Sequence, residues 1–172
     1  MKIILVALVA LSVLSSSLVK AQELPRKITN VNLLNLDENS VGVPYWGEKN
    51  LMIFYVDPDR HKQNHQFTVD MEINKRAEGD NLVGVGVMNL ADAPMIPNRM
   101  AIMMAKKRTE TNGATVLADQ TRALSKAWAL GDCNNQFVLL LVSKEGELIF
   151  MRKGEMSNED IEEFYRVLEE YK

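Results

Sequence analysis

The sequence predicts an α/β fold with a mixed central sheet and helices on both faces. Three observations carry that prediction. Leu51–Val56, Leu82–Leu90 and Phe137–Val142 are nearly unbroken apolar runs, the pattern of strands covered on both faces. Segments with helical character separate them, and alternating strand and helix units require right-handed crossovers and a mainly parallel core. The last run is followed by a turn at Lys144-Glu-Gly146, a returning strand over Glu147–Met151 and an amphipathic helix, which add antiparallel strands to the sheet.

The remaining elements follow from local chemistry. Val31–Leu36 reads as a short strand, Asp37–Ser40 as a turn, and Val41–Val43 as its hairpin partner. Residues 64–77 carry both periods. Phe67, Val69, Met71 and Ile73 alternate, while Lys75-Arg-Ala-Glu-Gly79 closes like a helix, and a helix is the reading taken. Asn98 is expected to cap a helix to about Glu110, stopped at Asn112-Gly113. Ala114–Ala118 is a short strand. Thr121–Leu130 is a short helix with Leu124, Ala127 and Trp128 on one side. Ser157 caps the final helix, with Asp160 at capping-box spacing and Ile161, Phe164, Tyr165 and Leu168 as its buried stripe.

Residues 1–21 read as a secretory signal peptide. Lys2 precedes an apolar stretch too short to span a bilayer, and Val19-Lys20-Ala21 fits a small-x-small cleavage site. Residues 22–172 then form one domain, and the expected location is the periplasm or the exterior. A net charge of −3 with well-mixed signs lacks the basic face that nucleic-acid binding needs. No second stretch approaches membrane-spanning length, so no membrane association is expected after cleavage. Cys133 is the one cysteine, so no disulfide can form within these residues.

The chemistry-bearing segment is the loop that ends the first apolar run, Asp57-Pro-Asp-Arg-His-Lys-Gln-Asn-His65. It holds both histidines of the chain. Buried parallel strands commonly end in such a loop, with ligand or catalytic groups at their carboxyl ends. Asp57, Asp59, His61 and His65 make a donor set suited to zinc, copper or nickel. The competing reading is a solvated turn in which Asp59 caps the next helix and both histidines are exposed. Met95, Met100, Met103 and Met104 have thioether chemistry suited to soft metals, but methionine at helical spacing is read here as packing. Gly84-Val-Gly86 lies inside a strand and is no phosphate cradle. No serine has the setting of a nucleophile elbow. Tyr45 and Trp46 are read as a loop anchor before an exposed contact.

Phe137-Val-Leu-Leu-Leu-Val-Ser-Lys-Glu-Gly-Glu-Leu-Ile-Phe-Met-Arg-Lys-Gly-Glu155 resembles the strand–KxGE–strand–Gly hairpin of the thioredoxin-like superfamily in its extended, peroxiredoxin-type form. Together with Ala127-Trp-Ala-Leu130, it is similar to the exported YtfJ-type proteins that lack the CxxC motif. Element order extends the resemblance over residues 28–172. It implies a site just after the first core strand, with Asp59 and Lys62 where redox members carry two sulfurs. No thiolate can form at either, so the resemblance does not bring dithiol exchange with it. Asn134-Asn-Gln-Phe137 stands where such proteins carry a cis-proline. The resemblance also implies that the loop bearing Cys133 lies beside the Asp57–His65 loop. There, His61 or Lys62 would favour the thiolate, and Asp57, Asp59 and Asp132 would oppose it. The alternative for Cys133 is a small buried apolar residue.

The expected function is an exported, non-redox binding or accessory module without a cofactor. Its partner would be another exported protein or a small ligand. The loops 57–65, 91–98 and 131–136 would form its surface, with Asp57, Asp59, Lys62, Asn64, Asp132 and Asn134 as binding candidates. The alternatives are a single-cysteine thiol protein using Cys133 and a metal-binding protein using the Asp57–His65 loop.

Overall fold

The computed structural model describes residues 23–93 and 97–172. The expected signal peptide, and Met95, lie outside them. The elements are β1 (Arg26–Lys27), β2 (Asn32–Leu34), β3 (Ser40–Gly42), β4 (Asn50–Val56), α1 (His65–Ile73), β5 (Leu82–Asn89), α2 (Asn98–Asn112), β6 (Thr115–Asp119), α3 (Ala123–Ala127), β7 (Phe137–Val142), β8 (Glu147–Lys153) and α4 (Asn158–Leu168). Short 3-10 turns at Pro58–Arg60 and Leu90–Asp92 follow β4 and β5. The helix reading of residues 64–77 holds, though α1 stops at Ile73, before the Lys-Arg pair.

All strands join one mixed sheet in the order β1-β8-β7-β4-β5-β6-β2-β3. The strands β4, β5 and β6 are parallel, with Ile53 opposite Val85 and Val87 opposite Leu117. On the other side of β4, β7 runs antiparallel, with Ile53 opposite Leu140, and β8 returns against it. The β2–β3 hairpin extends the sheet beyond β6, where Leu34 meets Ala118. Nothing in the sequence announces β1, a two-residue edge pairing on β8.

The unbroken apolar runs are explained by two cores, one on each face. Leu51, Ile53, Tyr55, Val85, Val87, Val138 and Leu140 face one way, under Leu124 and Trp128 of the α3 region and Leu33 and Val43 of the N-terminal hairpin. Met52, Leu139, Leu141 and Phe150 face the other way, under Phe67 and Met71 of α1 and Phe164, Tyr165 and Leu168 of α4. Phe164 meets Phe67 edge-on at 5.6 Å and Phe150 at 5.4 Å, geometries that add to plain burial. The Ser157–Asp160 capping box is formed. Trp128 is buried, donates from Nε1 to the Thr29 carbonyl at 2.8 Å, and lies 5.8 Å from the Trp46 ring. Trp46 is therefore an anchor, while Tyr45 is exposed.

Three local expectations are corrected. Pro97, not Asn98, occupies the α2 N-cap; Asn98 is the first helical residue, and no side chain caps the end. The second apolar helix is only five residues long, and Ala127 is exposed while Ser125 is buried. The methionines of α2 are not packing: Met100, Met103 and Met104 are 50%, 63% and 62% exposed. Ala101 and Ile102 turn to the sheet instead, against Leu90 and Ala118. Alanine lets the helix axis approach the sheet closely, which the longer thioethers would prevent.

Candidate functional site

Each of the three parallel strands delivers a polar residue to the interior at its carboxyl end. These are Asp57 after β4, Asn89 at the end of β5 and Asp119 at the end of β6; all three are buried. Buried polar groups need partners: Asp57 and Asp119 find them for both carboxylate oxygens, and Asn89 finds them for Nδ2, while its Oδ1 has none among the described residues.

Asp57 is the N-cap of the Pro58–Arg60 turn. Its Oδ1 accepts from the Asp59 amide at 2.9 Å, and its Oδ2 accepts from the Asn135 amide at 2.9 Å. Its own N–H donates to the Gln136 carbonyl at 3.1 Å. Nearby, the Phe137 amide donates to Gln63 Oε1 at 2.8 Å. The loops 57–65 and 131–136 are thus stitched side by side, as the resemblance implied. Asp59 lies inside this turn and does not cap the next helix as the solvated-turn reading expected: α1 has Asn64 at its N-cap, with no side-chain capping bond.

The other expected residues divide by exposure. Asp59, Lys62, Asp132 and Asn134 are exposed on these two loops. Asn64 is half-buried and already engaged: Nδ2 donates to the Gly154 carbonyl at 2.8 Å, and Oδ1 accepts from the Met156 amide at 2.9 Å. It ties the loop to the β8–α4 turn and adopts a left-handed backbone at φ +60°. His61 closes the 3-10 turn with Nδ1 2.8 Å from the Pro58 carbonyl oxygen, and His65 opens α1. They do not share a helix. Among the described residues no three His, Cys, Asp or Glu side chains converge as a metal set.

Cys133 sits in the expected loop, but its side chain belongs to the core beneath the sheet, 3% exposed. Its Sγ lies 3.5 Å from the Gly131 carbonyl oxygen. Burial pushes the thiol up to about 11, and the charges of Asp132, Asp92 and Asp119 reinforce that against the pull of Lys153. The nearby cation is Lys153, not the expected His61 or Lys62, and the opposing acids are not Asp57 and Asp59. Burial thus favours the protonated thiol over the nucleophilic thiolate at neutral pH.

Sequence reasoning missed a second polar group beside Cys133. Asn89 Nδ2 donates to Asp92 Oδ2 at 2.7 Å and reaches the Cys133 carbonyl at 3.4 Å. Arg122 Nε donates to Asp92 Oδ1 at 2.7 Å. Burial alone would raise the Asp92 carboxyl, but hydrogen bonds from Arg122 and Asn89 outweigh it and hold it below the ordinary range. Asp119 Oδ1 accepts from the Thr121 and Ala123 amides, and Oδ2 accepts from the Leu124 amide and the Tyr55 hydroxyl. Burial, then the Asp119 charge, raises Tyr55 far above its usual value. The signal that exposes Asp57, an acid or amide at the end of an apolar run, is equally present at Asn89 and Asp119.

A shallow open groove lined by Ala77, Gly79, Asp80 and Leu82 lies at the amino end of β5, opposite the loops, and takes no part in this arrangement.

No protein-family model matches the sequence, and no curated protein matches it. Solved structures do. The pneumococcal exposed lipoprotein thioredoxin of Streptococcus pneumoniae superposes with a TM-score of 0.53 at 17% identity, over 81% of this chain and 99% of that one. A thiol-disulfide oxidoreductase from Bacteroides fragilis gives 0.54 at 15%, over 83% and 99%. A peroxiredoxin-like protein from Aquifex aeolicus gives 0.55 at 11%, over 84% and 86%. The fold is thioredoxin-like, of the kind that thioredoxins and peroxiredoxin-like proteins share.

Proposed function

We propose that this thioredoxin-fold chain, with its one cysteine, is an exported binding or accessory module of the YtfJ type that works without thiol chemistry. The observation that carries the reading is the role of Asp57. At the carboxyl end of the first core strand, its carboxylate holds the amides of both Asp59 and Asn135, so the turn is built as a fixed platform. Asp59, Lys62, Asp132 and Asn134 stand exposed on that platform and form the recognition surface. Its mixed charges suit another exported protein or a polar small ligand. Thiol chemistry through Cys133 would need an ionised, accessible sulfur, and burial opposes both. Metal carriage would need donors that converge, and those of the Asp57–His65 loop do not.

The test has two arms. In the first, the purified protein is assayed for insulin reduction by dithiothreitol, beside Cys133→Ser. Rates equal to the protein-free blank are expected for both; acceleration that the variant loses would establish a thiol enzyme. In the second, photo-crosslinking side chains are placed at Asp59, Lys62 and Asn134 in cells, with Glu170 as control. A shared adduct at the three loop positions, missing at the control, is expected. Adducts at the control alone would overturn the loop surface.

A further inference from the structure

The outer face of α2 has no role in the loop platform, and it is built unlike the rest of the surface. Three methionines lie exposed on it. At about 100° per residue, Met103 and Met104 fall about 60° and 40° to either side of Met100. The adjacent pair therefore shares one outward stripe, facing away from Ala101 and Ile102. Cations border that stripe. Arg108 lies about 80° from Met100 on one flank, Arg99 and Lys106 lie about 100° and 120° away on the other, and Lys107 ends it. The single acid on the helix, Glu110, lies about 80° from Met100, on the flank of Arg99 and Lys106. In a chain of net charge −3, this is a concentrated basic and apolar strip. Lys106 pairs with Asp37 at 2.6 Å, whereas Arg99, Lys107 and Arg108 make no ion pair among the described residues.

We infer that this face of α2 docks on an anionic phospholipid surface, with the methionines entering the acyl boundary and the flanking cations meeting lipid phosphates. Methionines with Lys107 among them and further long cationic side chains on both flanks suit contact with an anionic interface, where the charges supply much of the attraction. The aliphatic stems of Arg99 and Arg108 extend the apolar surface while their charged ends stay at headgroup depth. The face is the convex outside of a single helix, which suits a planar surface better than a peptide ligand needing a groove. A soft-metal site on the thioethers would account for the methionines, but the surrounding cations oppose it. No helix among the described residues is long and apolar enough to cross a membrane, and the contact proposed for α2 is a peripheral one. The sequence-based expectation of no membrane association rested on the lack of such a span, which a peripheral contact does not need.

Sedimentation with vesicles tests this using the chain without residues 1–21. Binding to vesicles containing phosphatidylglycerol is expected, with little binding to pure phosphatidylcholine and loss in high salt. Lys107→Gln with Arg108→Gln should weaken it about 25-fold, at about fivefold per cation. Met100→Ser, Met103→Ser and Met104→Ser together should weaken it without changing the circular dichroism spectrum. A Met103→Trp variant should shift its emission to the blue on anionic vesicles only. Equal binding to both vesicle types, or undiminished binding by the methionine variant, overturns the proposal. So does capture of a Glu- and Leu-rich helical peptide by the same face without vesicle binding, which would assign a protein occupant. A dimer that the methionine substitutions dissociate, again without vesicle binding, would assign the face to a second copy.

Discussion

In α4, Ile161, Phe164, Tyr165 and Leu168 lie against the sheet; in α2, Met100, Met103 and Met104 follow the same kind of spacing and lie in solvent. Spacing alone does not choose the buried face. The α4 stripe is aromatic and branched, it meets Phe67 and Phe150, and a capping box fixes its start. The α2 sequence offers two apolar stripes, and the one built around the small Ala101 takes the sheet. Packing density rewards close approach, which Ala101 permits, and the compact branched Ile102 fills the contact in place of the longer, flexible thioethers.

The largest effect that would test this contrast is in α4. Phe164 is fully buried, so Phe164→Ala should cost about 3–5 kcal/mol, read by urea unfolding. A cost under about 1 kcal/mol would mean that α4 is not the anchor it resembles. A smaller effect is expected where the chain leads into α2. Asp92→Asn should cost about 1 kcal/mol at pH 7, once the half-exposed Arg122 is allowed for. The sign with pH follows from the depressed Asp92 carboxyl. Its stabilisation is present above the unfolded value of about 4 and is lost as pH falls through the lower folded value. Unfolding curves from pH 6 to pH 2 should therefore converge for the two proteins, and a gap that widens on acidification would contradict the geometry. The smallest effect belongs to the exposed stripe. Met103→Gln with Met104→Gln should change stability by less than about 0.5 kcal/mol. A large loss would place these side chains in a core.

Strand positions were legible because burial on both faces writes itself as an unbroken apolar run, as at Leu51–Val56 and Phe137–Val142. The final helix was legible because its cap and its stripe agree. The Asp57–His65 and Asn134 loops were placed together by resemblance, and the bond from the Asn135 amide to Asp57 joins them. What stayed hidden depends on pairs far apart in the chain. Tyr55 meets Asp119 across 64 positions, and Arg122 meets Asp92 across 30. Nothing local marks a carboxylate as buried when its partners come from other elements. The same reason misassigned the cation near the thiol to His61 or Lys62, when Lys153 arrives from β8.

The placement of Cys133 gives the molecule an internal clock. It is the chain's only sulfhydryl, and it is sealed under the central strands. An aromatic disulfide reagent can reach it only while that region is open, so the reaction rate counts openings directly, without competing sites to subtract. Breathing of this half of the sheet can then be timed in the unmodified protein, with and without anything bound to the neighbouring loops.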